Sequence, residues 1–99
     1  MSMILTGKLD LRSTAPVETV GGKTDTFTRV DFPTPFPAGS EVIVHASVQT
    51  FNAPDTPGLR IHDVSETGFL IRFNELYGAG TKSNGAHGLE SVGWSAYTV

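Results

Sequence analysis

In the stretch "RIHD", Arg60, His62 and Asp63 bring a cation, an imidazole and a carboxylate together within four residues. Metal binding or acid–base catalysis would need such groups to converge. Side chains alternate between the two faces of a strand. His62 therefore shares a face with Arg60 while Asp63 points the other way, and the two cannot grip one metal unless a bulge intervenes. A zinc site needs three or four convergent donors, and the other histidines, His45 and His87, lie far away in sequence. No metal or other cofactor is expected. His45 and Ser47 are two apart on one strand face, but an activated serine also needs a strained turn or an oxyanion hole, and neither is legible. The carboxylates of Asp63, Glu66 and Glu75 cannot be paired from the sequence. The expectation is that the chain is not an enzyme.

Polar groups around a ring offer a different chemistry. Tyr77 opens the Gly-rich segment "YGAGTKSNGAHG", and Arg60, Asn74, Asn84 and His87 are the side chains that could surround it. A planar ring stacks on the CH face of a sugar, while fixed donors and acceptors take its hydroxyls. His87, placed in that loop, is the histidine expected to face a ligand; His45 reads as a satisfied or surface residue.

These groups have to be held by strands. Glycine and proline, 11 and 6 of 99 residues, punctuate the chain at short intervals, with runs rich in Val, Ile, Thr and Phe between them. That combination predicts an all-β chain, and no stretch of ten residues carries apolar positions at helical spacing. Six strands are expected, at about residues 4–12, 24–32, 41–51, 59–65, 68–76 and 90–99. The third alternates most strictly: Val42, Val44, Ala46 and Val48 on one face, Ile43, His45, Ser47 and Gln49 on the other. Leu5, Leu9 and Leu11, then Val30 and Phe32, then Phe69, Ile71 and Phe73, and finally Val92, Trp94 and Ala96 complete the apolar faces. Six short strands with one apolar face each predict a small antiparallel sandwich, with a compact barrel as the alternative.

"FPTPFP", residues 32–37, fits a crossover between sheets. Proline cannot donate to a ladder and pushes its predecessor toward extended backbone. The chain is thus expected to leave the second strand at Phe32, cross, and re-enter a sheet near Glu41, with Phe32 and Phe36 capping the core.

Length and charge bound the rest. Ninety-nine residues make one domain, residues 1–99, with a thin core. Net charge is −3, and the charges are scattered, so the clustered basic footprint of a nucleic-acid binder is missing. No apolar run approaches a membrane span, and "MSMILTGKLDL" lacks the pattern of a secretory leader. Neither nucleic acid nor membrane insertion is expected.

Several motifs in order, "TGKLDL", "RVDFPTPFPAGSEVIVHASVQTFN", "LRIHDVSETGF" and "VGWSAYTV", resemble an H-type lectin domain, the family of the snail agglutinins. The resemblance runs along the whole chain. It implies a six-stranded antiparallel β-sandwich that assembles as a homotrimer, or a dimer of such trimers. It also implies glycans with a galactose or N-acetylgalactosamine core in clefts between protomers, no metal in sugar binding, and an extracellular or surface setting. Arg60 matches the family's sugar-binding arginine. Tyr77 falls, with Leu76, on its Trp-His pair and takes the stacking role. His87 or Gly88 stands near its last aromatic. Gly21 and Gly22 align with its acidic residue, for which Asp25 is the nearest carboxylate. Where some members join the first and fifth strands by a cysteine pair, this chain has Leu11 and Phe73. The lost bridge costs about 2 to 4 kcal/mol, partly offset by burying two apolar groups. The alternative implied function is a trimerising module or receptor-binding tip of a longer fibre or surface protein, with the sugar site altered or lost. For a trimer, Ile43, Leu70 and Val99 are the candidates to pack along the three-fold axis.

Overall fold

A computed structural model describes residues 3–52, 57–74 and 86–99. The order is β1 (Ile4–Ser13), β2 (Thr28–Asp31), β3 (Val42–Val48), β4 (Leu59–His62), β5 (Gly68–Phe73) and β6 (His87–Thr98). They form two three-stranded antiparallel sheets, β1-β6-β3 and β2-β5-β4. The chain is all-β, with no helix among the described residues. The alternation read from the sequence is the cause. Each strand offers one apolar face, and two such faces packed together are the least that can bury them all.

The core contains Leu11, Phe69, Ile71, Phe73, Val92, Trp94 and Ala96, with Leu5, Leu9, Val30, Val42, Val44, Ala46 and Val48 packed against it. Leu11 and Phe73 are thus both interior, as the apolar faces of β1 and β5 predict. The crossover also behaves as its prolines dictate: β2 lies in one sheet and β3 in the other. Phe32 and Phe36 are buried between them, with rings edge-to-face at 5.3 Å. Phe32 also meets Trp94 at 5.5 Å and Phe69 meets Trp94 at 5.6 Å, so one aromatic cluster closes this end of the sandwich. Trp94 pairs across the ladder with Gly7. A Cβ there would stand 2.6 Å from the indole nitrogen and closer still to two ring carbons. The first strand therefore needs glycine at this position to seat the tryptophan.

Five boundaries differ from expectation by three residues or more; β3 ends at Val48 and β5 at Phe73, each three residues short. Strand β2 begins at Thr28, because residues 24–27 form a turn closed by Phe27 N–H donating to Thr24 O at 3.0 Å. Strand β4 stops at His62, because Asp63 adopts a left-handed φ of 50°, a conformation Asp tolerates better than most residues. Strand β6 starts three residues early, at His87.

The last difference has a physical reason. Leu11 pairs with Glu90 but Ser13 pairs with His87, so β6 carries one extra residue there. An extra residue in a ladder is a β-bulge. Residues three apart normally face opposite sides; the bulge turns both His87 and Glu90 inward, where Glu90 is only 2% exposed. Nε2 of His87 donates to Glu90 Oε2 at 2.8 Å. Glu90 Oε1 accepts from the Thr50 hydroxyl and the Asn52 amide, both at 2.8 Å. These bonds offset the cost of burying a carboxylate. His87 also meets Phe73 edge-to-face at 5.2 Å. The loop and ligand-facing placement expected of His87 is corrected: it is an interior residue of β6.

Candidate functional site

A cleft of about 670 Å³ opens between β4 and the loop before β2; its walls include Glu18, Gly22, Lys23, Phe27, Arg60 and His62. Its volume suits a small ligand. The outer face of the other sheet carries a second concavity, about 500 Å³, at Lys8, His45, Ser47 and Gly93. There His45 stacks on Tyr97 at 5.6 Å and hydrogen-bonds its hydroxyl at 2.9 Å, while Ser47 Oγ accepts from Gln49. His45 and Ser47 are thus engaged with other partners rather than with each other.

Side chains of β5 hold the cleft's loop in place. Phe69, Ile71 and Phe73 point inward, so Arg72 lies on the opposite face, under the loop. Arg72 is buried and donates to the Pro16 and Ala15 carbonyls, the Thr26 hydroxyl and the Phe73 carbonyl. Asn74, also buried, clamps the Glu18 backbone from both sides. Its Oδ1 accepts from the Glu18 amide at 2.9 Å, and its Nδ2 donates to the Glu18 carbonyl at 3.1 Å. Glu18 in turn caps the loop: Oε2 accepts from the Thr19 and Val20 amides at 3.0 and 3.1 Å. Lys23 approaches its other oxygen at 3.9 Å. A turn then closes from Val20 O to Lys23 N at 3.2 Å, with Gly22 at φ 84°. A turn with positive φ at its third residue favours glycine there, which explains Gly22 at this rim.

The expected site residues divide accordingly. Arg60 and Gly22 line the cleft together. Asn74 reaches it too, but both ends of its amide are spent on the loop, so it is a positioning residue. Asp25 is exposed on the same loop and lies outside the cleft wall. His87 lies in the interior, and Tyr77, with Glu75, Leu76 and Asn84, falls outside the described residues.

Arg60 alternates with Leu59 and Ile61, which pack on the core, so its guanidinium faces out. Among the described residues it has no hydrogen-bond or ion-pair partner. His62 is beside it on the strand, with its Nδ1 3.0 Å from Asp63 Oδ1. The alternation argument that separated His62 from Asp63 fails because the strand ends between them and Asp63 turns left-handed. No group of three or more metal-ligating side chains occurs among the described residues. Known protein families, characterised proteins and solved structures yield no match to this chain.

Sequence reasoning missed Phe27, Glu18 and Lys23 as cleft residues. They come from a loop whose fold depends on Arg72 and Asn74, some 50 residues away, and no local pattern signals that. His62 was detectable, since it sits two residues from Arg60 on one strand face.

Proposed function

We propose that the chain is a sugar-binding domain of the H-type lectin kind, taking galactose- or N-acetylgalactosamine-type glycans and assembling as a homotrimer. The observation that carries this is Arg60, an outward guanidinium with no partner among the described residues, set in a cleft of about 670 Å³. A guanidinium presents several fixed donors, which suits vicinal sugar hydroxyls. Phe27 supplies an apolar wall, and the loop backbone offers further polar groups at the rim. The two-sheet antiparallel sandwich and the motif resemblance agree with this reading. Binding on a glycan array, lost on Arg60→Ala with the fold intact, would bear it out. An unliganded result across all galactose-type and other glycans would refute it.

Assembly has its own support. Ile4 and Ile43 flank Tyr97 in register on the outer face of β1-β6-β3, and Ile4, Ile43 and Val99 are 67%, 39% and 78% exposed. Val64, Ile43 and Val99 border one shallow hollow at that end. Leu70 instead lies on the outer face of the other sheet, between its ladder partners Arg29 and His62, so it does not extend this patch. The apolar end also favours the second reading, a trimerising module whose sugar site is altered. A stable oligomer that ignores every sugar would select it.

A further inference from the structure

We infer that the Arg60 cleft selects glycans bearing an acidic group, a carboxylate or a sulfate ester, over their neutral counterparts. The inference rests on the reading that this cleft holds a sugar.

The observation is a charge left uncancelled. Five cationic or potentially cationic side chains gather on this side of the β2-β5-β4 sheet and its covering loop. Three have carboxylate partners: Arg29 with Asp31 at 2.9 Å, Lys23 with Glu18 at 3.9 Å, and His62 with Asp63 at 3.0 Å. The other two, Arg60 and Arg72, have none among the described residues. They are also cross-strand partners in the β4–β5 ladder. Like charges directly opposite each other destabilise a sheet pair. All of Arg72's acceptors are neutral oxygens, so its charge is hydrogen-bonded but not neutralised. Because Arg72 is buried, its field is weakly screened compared with that of an exposed group. The chain as a whole carries −3, yet Arg60 on the cleft wall and Arg72, its ladder partner behind that wall, have no carboxylate partner among the described residues.

An anion seated on Arg60 would feel both charges. The exposed guanidinium is free to form the bidentate, charge-assisted bonds that carboxylate and sulfate oxygens accept. Arg72, the ladder partner of Arg60 but not part of the cleft wall, adds attraction at longer range. Among the described residues the nearby carboxylates are engaged: Glu18 accepts from two amides of its own loop, and Asp63 lies 3.0 Å from His62 Nδ1.

The test titrates the chain with galactose, galactose sulfated on one hydroxyl, glucose, glucuronic acid, and inorganic sulfate alone. Two-dimensional NMR follows the amides of residues 18–24 and 59–62. Both acidic sugars are expected to bind at least about tenfold more tightly than their neutral parents, with affinity falling as salt is added. The preference should disappear in Arg60→Gln, be partly kept in Arg60→Lys, and be unchanged in Lys8→Gln on the other sheet. If galactose binds in the cleft as tightly as its sulfate, the sugar reading stands and this inference is overturned. If sulfate alone binds as tightly as the sulfated sugar, the anion site stands and the sugar reading falls. If nothing shifts these amides, both fall.

Discussion

Gly7→Ala tests how the core is seated. The added methyl would fall on the face of Trp94, 2.6 Å from its indole nitrogen, well inside normal contact. The ring cannot simply swing away, because Phe32 and Phe69 hold it at 5.5 and 5.6 Å and Phe36 backs Phe32. Either the tryptophan leaves its rotamer or the β1–β6 ladder opens at this pair. Overpacking of this kind costs about 1–3 kcal/mol. In a domain of this size each kcal/mol moves the melting temperature by about 4–8 °C, so a drop of about 5–20 °C is expected. The chain has one tryptophan, so its fluorescence reports the site directly: the folded variant should emit to the red of the parent. A variant as stable as the parent, with unchanged emission, would refute the packing argument.

Three further outcomes follow from the same geometry. Asn74→Ala removes both bonds to the Glu18 backbone and should cost about 1–3 kcal/mol; amide exchange from Glu18 to Lys23 should accelerate more than in β6, and equal acceleration everywhere would count against a local clamp. Glu90 is held below its ordinary carboxylate range mainly by the hydrogen bond from His87, assisted by Thr50 and Asn52 against the opposing effect of burial. Because its folded pKa is depressed, its contribution is present above the ordinary carboxylate range and is lost as pH falls through the folded value; Glu90→Gln should flatten that acid-side loss in thermal unfolding, and an unchanged slope would contradict it. Ile43→Glu places a charge in the apolar end of the β1-β6-β3 face and should reduce the mass seen by light scattering to that of a monomer, whereas an oligomer of unaltered mass would move the proposed interface elsewhere.

The sandwich was legible because burial in a sheet follows a period of two. The faces of β1, β3, β5 and β6 can be read from Leu5 to Leu11, Val42 to Val48, Phe69 to Phe73 and Val92 to Ala96 without any structure. "FPTPFP" was legible for a covalent reason, since proline has no N–H to give to a ladder. The site was less so. Arg60 could be placed on an outward face by alternation alone, but the loop opposite it is folded by Arg72 and Asn74, whose role exists only after β5 and residues 15–26 have met. His87 misled because the Gly-rich run through Gly88 reads as loop; the ladder reaches His87 only through a one-residue bulge that turns it inward, and nothing in "AHGLE" announces a bulge. His62 and Asp63 misled for a related reason: a left-handed Asp63 ends the alternation between them.

A crystal structure grown with N-acetylgalactosamine tests most directly whether Arg60 holds a sugar. The sugar should lie in the cleft between β4 and the 17–24 loop, with a hydroxyl within hydrogen-bond distance of the Arg60 guanidinium. An empty cleft at saturating sugar, or a sugar seated instead against His45 and Gly93 on the other sheet, would contradict it.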